Sequence, residues 1–156
     1  MKKVLVLGAN GQVGGELCFL LSLETSLMAT AVARSENGLA LLRNMGVQCA
    51  VHPGGDLKEL LQNCDVVVDL VHPWENNIAS MRRSIVARCQ EIHRHLPPHA
   101  RVVYASTMSV YRLDPDVPAY TIYGYTKLFA EKLHRQLGRK FRHPVYIFRL
   151  GQVHGA

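Results

Sequence analysis

The chain has 156 residues, with 18 lysines and arginines against 12 aspartates and glutamates, a formal net charge of +6 at pH 7. With 48% hydrophobic and 19% charged residues, it is long enough for one well-buried domain and too short for two comfortable ones, and neither disorder nor low complexity fits. The positive balance favours anionic partners, whether nucleic acid, membrane surface or phosphorylated small molecule, without choosing among them.

Short apolar runs at 4–7, 28–33, 47–51, 66–70, 102–105 and 145–150 read as strands, with helical patterns between them at 12–22, 36–45, 57–63, 74–95 and 118–138. The runs are nearly continuous in apolar residues, as strands covered on both faces require; a strand with one wet face would alternate. This alternation of strand and helix predicts an α/β fold, a doubly wound parallel sheet of about six strands with helices on both faces.

The first run ends in Gly8-Ala9-Asn10-Gly11-Gln12-Val13-Gly14, which opens the first helix. Strand, glycine turn and helix in that order make the glycine spacing informative. The first glycine permits the sharp turn, the second lets the backbone approach a pyrophosphate, and the third lets helix pack on strand. The helix amino terminus then offers free N–H groups and the positive end of its dipole. Residues 1 to about 70 therefore read as a dinucleotide-binding half of Rossmann type, with Gly8, Asn10, Gly11, Gln12, Val13 and Gly14 at the cofactor.

The second run ends Ala33-Arg34-Ser35. An acidic residue there would bind a ribose 2′-hydroxyl, whereas an arginine pairs bidentately with a 2′-phosphate, so Arg34 tilts the expectation toward NADP. Glu36 keeps NAD open, and Arg34 as a plain surface charge is a third reading. Ser35 is a candidate cap for the second helix, Gly46 marks its end, and Gly138 is a candidate end for the last one. Pro97-Pro98 stops the long fourth helix. The segment 112–118, with two prolines and two aspartates, reads as a surface loop.

Basic residues crowd two stretches, Arg82, Arg83, Arg88, Arg94 and Arg101, then Lys132, Arg135, Arg139, Lys140, Arg142 and Arg149. Both stretches are partly helical, so solvated helix faces account for them; no aromatic interleaving accompanies them, and nucleic acid is disfavoured. Before Gly8 the chain has no room for a signal segment or membrane span. Cys18, Cys49, Cys64 and Cys89 form no CxxC pair and read as buried, reduced thiols of a cytoplasmic protein. The eight histidines show no zinc spacing; His93 and His95 point to different sides of a helix, and His52, His72 and His143 precede prolines. They read as surface or turn residues, with no metal site.

The fifth run continues Ser106-Thr107-Met108-Ser109-Val110-Tyr111, and the last helix carries Tyr123-Gly124-Tyr125-Thr126-Lys127. Together with the GxxGxxG spacing, these residues resemble the extended short-chain dehydrogenase/reductases, the NAD-dependent epimerase/dehydratase type. The resemblance implies that Tyr123 is the acid/base on a substrate hydroxyl or carbonyl, that Thr107 holds the substrate oxygen, and that Ser106 faces the cofactor. Tyr123 and Lys127, four apart, share one helix face. An ammonium there favours phenolate over phenol, drawing the tyrosine down from about 10, and Lys127 also reaches the nicotinamide ribose. Tyr125, the competitor, has no lysine four residues on.

Gly55-Asp56-Leu57 is similar to the family's Gly-Asp-Leu, which puts Asp56 at the adenine; as a helix cap Asp56 would look the same. Residues 65–72 resemble the family's fourth strand, usually ending His-Leu-Ala-Ala, which places Leu70 and Val71 at the cofactor along with Leu57. Residues 147–155 resemble its last motif. The resemblance further implies NADP or NAD as cofactor, a small-molecule substrate of nucleotide-sugar type, and a homodimer through helices 74–95 and 118–138. The chain departs from the pattern at Ser84, Arg112, Leu150, Gln152 and His154, where the family has Asn, Gly, Pro, Asn and Tyr. The family's carboxy-terminal substrate domain has no counterpart in 1–156, which leaves a non-catalytic NAD(P)-binding or redox-sensing module as the alternative.

Overall fold

The computed structural model describes residues 1–51, 57–111 and 121–151. Among them six strands, β1 (Lys2–Leu7), β2 (Leu27–Ala33), β3 (Gln48–Val51), β4 (Val66–Asp69), β5 (Arg101–Thr107) and β6 (Val145–Leu150), form one sheet in the order β3-β2-β1-β4-β5-β6. Every pairing is parallel. The helices are α1 (Gln12–Ser22), α2 (Ala40–Asn44), α3 (Lys58–Gln62), α4 (Ile78–His95) and α5 (Ile122–Phe141).

The continuous apolar runs are explained by two separate cores. Side chains alternate across a strand, and in β1 Leu5 and Leu7 enter a core with Leu61 of α3 and Ile92 of α4. Val4 and Val6 enter the other, with Cys18 of α1 and Leu42 of α2. On the first of these faces α5 lies beside α4, where Ile85, Cys89, Ala130 and Leu137 close over Tyr104. Strand order reverses between β1 and β4, and in such sheets a crevice opens at the carboxyl ends of those strands.

Several local expectations are corrected. The helix expected at 36–45 breaks into a 3-10 turn, Glu36–Gly38, followed by α2. Ser35 stands at the cap position without a side-chain hydrogen bond. The break brings Gly38 onto the glycine loop, where an added Cβ would lie 2.3 Å from Asn10 Cβ. Helix α4 begins at Ile78 rather than near 74, because Asn77 Oδ1 accepts from the Ser80 N–H at 2.9 Å and fixes the first turn there. Gly138 does not end α5, which runs on to Phe141 and is closed by Arg142 at φ 62°. The glycine serves close packing instead: its Cβ would lie 2.4 Å from Val145 Cγ2 on β6.

Strand β5 runs two residues beyond the expected 102–105 at its far end, so Ser106 and Thr107 pair in register with Arg149 and Leu150. The surface reading of the histidines fails for His93, His134 and His143, all buried between α4, α5 and the start of β6. The cysteines are free, with Cys18, Cys64 and Cys89 buried and Cys49 partly so. Among the described residues no helix is long and apolar enough to cross a membrane, and no group of three or more ligands could hold a metal ion. The expected loop at 112–118 lies outside the described residues.

Gly124 sets how close α5 comes to the end of β5: a Cβ there would lie 2.2 Å from the Ser109 carbonyl oxygen and 2.9 Å from its carbon. Alanine improves helix propensity by about 1 kcal/mol, but the clash is with backbone and costs about 1–3 kcal/mol. Gly124→Ala is therefore expected to lower stability, measured by the urea midpoint.

Candidate cofactor and active site

Gly8 has φ +81°, a conformation that favours glycine, and its N–H donates to the Val32 carbonyl at 3.0 Å, which ties the loop to β2. Gly14 allows the close packing expected of a third glycine, since a Cβ would lie 2.4 Å from the Gly8 oxygen and 2.8 Å from Ala9 Cα. Gly11 caps α1 without any side-chain acceptor, so the first-turn N–H groups are available to an anion. Asn10, Gly11 and Gln12 are exposed and Val13 half-buried around this end. A dinucleotide pyrophosphate fits that cradle.

At the tip of β2, Arg34 is exposed and in no ion pair among the described residues. Glu36, its competitor, is engaged by Arg43, whose hydrogen bond holds the carboxyl below its usual range. Asp56 lies outside the described residues. Leu57 is a core residue, 7% exposed and packed in the cluster of Leu61 and Ile92, with its N–H donated to Glu91 at 2.7 Å.

Across the crevice, Leu70 and Val71 stand against Gly8, where a Cβ would meet Val71 Cγ2 at 3.3 Å and the Leu70 carbonyl carbon at 3.4 Å. The position of this pair is fixed by Asp69, which is fully buried. Its Oδ1 accepts from the Val71 N–H at 3.0 Å; its Oδ2 accepts from Arg88 Nε at 2.9 Å and faces His134 Nε2 at 3.3 Å. Arg88 also donates to the Val71 carbonyl at 3.1 Å. Burial alone would push the Asp69 carboxyl up, but Arg88 and His134 outweigh it and hold the group well below the usual carboxylate range.

The approach of Gly124 to Ser109 brings the start of α5 to the end of β5. Thr107 Oγ1 donates to Ser109 Oγ and accepts from the Ser109 N–H, both at 3.2 Å. Ser106 is buried behind it. Lys127, 4% exposed, donates to the Ala105 carbonyl at 2.8 Å, with Nζ 5.8 Å from the Tyr123 ring centroid. Tyr123 is half-buried between His72, edge-on at 4.8 Å, and Trp74, stacked at 5.8 Å. In this arrangement burial raises the Tyr123 pKa, opposite to the expected lowering, and the Lys127 ammonium is hydrogen-bonded to Ala105. Ser84, where the family has Asn, gives its hydroxyl to Glu75.

Asp69, Arg88, His134, His72 and Trp74 were not singled out for the site by sequence reasoning. A signal did exist for the first two. A carboxylate inside the apolar run 66–71 needs a buried cation, and the next helix supplies one.

A parallel sheet whose switch point carries an uncapped, glycine-opened helix defines a dinucleotide-binding α/β domain. The family model described as NAD dependent epimerase/dehydratase matches residues 4–156, and the chain belongs to that family. No curated protein sequence matches it significantly. Among solved structures, UDP-glucuronic acid 4-epimerase from Bacillus cereus in complex with NAD is similar at 25% identity and a TM-score of 0.80, covering 98% of this chain and 57% of that one. The terminal R domain of the myxalamid PKS-NRPS pathway (23%, TM-score 0.77, 99% and 50%) shares the fold. So does UDP-N-acetylglucosamine 4-epimerase from Bacillus cereus (21%, TM-score 0.73, 96% and 58%). The chain thus spans little more than half the length of these proteins.

Burial pushes the Lys127 ammonium down and Arg88 adds to this, while Asp69 opposes both, giving a pKa of about 8 against an ordinary 10.5. Below about 8 the lysine is protonated folded or unfolded; between about 8 and 10.5 the unfolded chain binds more protons, so this group adds stability as pH rises through that window. NMR titration of the lysine Cε resonance is expected to show a midpoint near 8, displaced further downward in Asp69→Asn.

Proposed function

We propose that this chain is the cofactor-binding and acid/base portion of an NAD(P)-dependent oxidoreductase, epimerase or dehydratase acting on a hydroxyl or carbonyl of a nucleotide-sugar or related substrate. The observation that carries the reading is the convergence of Thr107, Tyr123 and Lys127 at the β5–α5 junction, held there by the Gly124–Ser109 approach. Family membership and the nucleotide-sugar enzymes among its structural neighbours support it.

The amino end of α1 and residues 8–14 bind the pyrophosphate, with Leu70 and Val71 as the opposite wall. Bound nicotinamide supplies hydride transfer. Thr107 holds the substrate oxygen by hydrogen bond, and the Tyr123 hydroxyl gives or takes the proton at that oxygen. Lys127 contributes positive charge beneath the phenol and a donor toward the ribose. Ser106 backs the site. The family resemblance adds Asp56, at the adenine, to the binding set.

NADP is the favoured cofactor because Arg34 makes no ion pair among the described residues while Glu36 is engaged by Arg43. A homodimer through α4 and α5 belongs to the same reading, with Ala79, Arg82, Val86 and Phe129 lining a groove on that face and Arg82 over the Phe129 ring at 4.6 Å. Four free cysteines suit a reducing, cytoplasmic compartment.

Two outcomes test this. Tyr123→Phe is expected to leave the NADPH dissociation constant unchanged and to lower kcat on a panel of UDP-sugars by about 10²–10⁴-fold. Failure of any dinucleotide to bind at millimolar concentration overturns the reading. Arg34→Ala is expected to weaken NADPH by about 10–100-fold, the equivalent of one hydrogen bond between charged groups, while NADH affinity stays put in calorimetry. The second reading, an NAD(P)-binding module without turnover, is favoured by the Lys127–Ala105 bond, which leaves Tyr123 unactivated. It expects Tyr123→Phe to be silent.

A further inference from the structure

Behind the candidate site, three histidines from different elements stand in line. His134 of α5 places Nε2 at 3.3 Å from Asp69 Oδ2 and Nδ1 at 3.2 Å from Nε2 of His93 on α4. His93 Nδ1 lies in turn 3.2 Å from Nδ1 of His143, in the turn before β6. The three are 0%, 1% and 6% exposed. Beyond them, the His143 ring meets the backbone acceptors of Leu96 and Pro97. It also borders a surface cleft of about 310 Å³ whose lining includes Arg135, Arg139 and Arg142.

Counting protons along this line shows what it can do. It contains four contacts: Asp69 to His134, His134 to His93, His93 to His143, and His143 to the backbone carbonyls. Each needs one proton, and a neutral imidazole carries one. Asp69 is anionic, so His134 Nε2 must hold a proton. In the neutral chain His93 then donates from Nε2 and His143 from Nδ1, and His143 Nε2 is left bare against carbonyl oxygens.

One added proton resolves this. Taken up at His143 Nε2, it allows the His143 Nδ1 proton to pass to His93 Nδ1 and the His93 Nε2 proton to pass to His134 Nδ1. His143 and His93 exchange tautomer, His134 becomes imidazolium, and every contact is filled. The charge rests beside the Asp69 carboxylate, the one place in the line with an anion to receive it. Of the three rings only His134 reaches Asp69; two further rings leading to the surface need another explanation.

We propose that His143, His93 and His134 form a proton relay from the arginine-lined cleft to the buried Asp69 carboxylate, and so set the net charge that Lys127 faces. The remaining groups around the line are fixed in charge. Arg88 on α4 is a permanent cation paired with Asp69. Burial pushes the Cys89 thiol, 3.3 Å from His134 Nε2, up to about 12. Tyr104 of β5, its ring 4.9 Å from that of His134, is raised by burial and stays neutral. Burial, with His134 and His143, pushes His93 down to about 3, and burial lowers His143, so neither retains the charge. The arginines at the mouth repel a cation resting on His143 and favour its passage inward.

Relay charge would offset the Asp69 carboxylate and ease the loss of the Lys127 proton. This consequence rests on the catalytic reading of Lys127; the relay itself does not. The test is imidazole ¹⁵N NMR on the full chain without added dinucleotide, across the range of about pH 5 to 8 where histidine titrates. The expected result is one shared change of tautomer, in which the His93 proton moves from Nε2 to Nδ1 as the His143 proton moves from Nδ1 to Nε2. His93 keeping one tautomer across the range, or the two rings changing tautomer separately, would overturn the relay. In His143→Phe, with fold confirmed by its amide spectrum, His93 is expected to keep its Nε2 tautomer across the range and the Lys127 Cε resonance to lose its inflection there. A His93 tautomer that still switches counts against the proposal, and if that variant does not fold the wild-type tautomers decide.

Discussion

A carboxylate with no exposure at the sheet's switch point is the constraint on which the site depends. Burying Asp69 alone would cost several kcal/mol, so the chain must bring it donors, and those donors come from three places. The Val71 N–H comes from its own strand end, Arg88 from α4 and His134 from α5. Meeting that need fixes the wall opposite Gly8, binds the two long helices to β4, and puts a negative charge where Lys127 feels it. The wall opposite Gly8, the helix placement and the lysine electrostatics are therefore consequences of one buried acid.

Close approach at glycine does for distance what Asp69 does for charge. Gly14 lets α1 settle against the Gly8 carbonyl, Gly124 seats α5 on the β5 end, and Gly138 lets the same helix touch β6. The last two hold α5 at both ends, which keeps Tyr123 and Lys127 facing the β5 tip and brings His134 in line with His93. A helix held only by its apolar stripe would have no such fixed height above the sheet.

The architecture was legible because its signals are local. Apolar runs of strand length, the glycine loop at residues 8–14 and the Tyr123–Lys127 spacing each declare themselves within a few residues. Where the reading failed, the cause was long range. Gly138 looks like a helix end until Val145 is seen to occupy the space of its missing Cβ. His93, His134 and His143 are up to 50 residues apart, and nothing near any of them indicates burial. Spacing alone likewise suggested that Lys127 would draw down the Tyr123 pKa, but the carbonyl of Ala105 competes for its ammonium, and that acceptor comes from another element. Asp69 lies between these cases: its oddness in an apolar run was visible, while its partners were not.

Gly38 touching Asn10 couples two parts of the domain that are usually treated as independent modules. The turn after β2, which carries Arg34 and Glu36, rests on the glycine loop proposed to receive the pyrophosphate. Exchanging that turn for one from a relative, the usual route to a new coenzyme preference, would therefore also move the phosphate loop. If the proposed coenzyme reading holds, side-chain replacement at Arg34 and Glu36 disturbs the scaffold less than transplanting the segment.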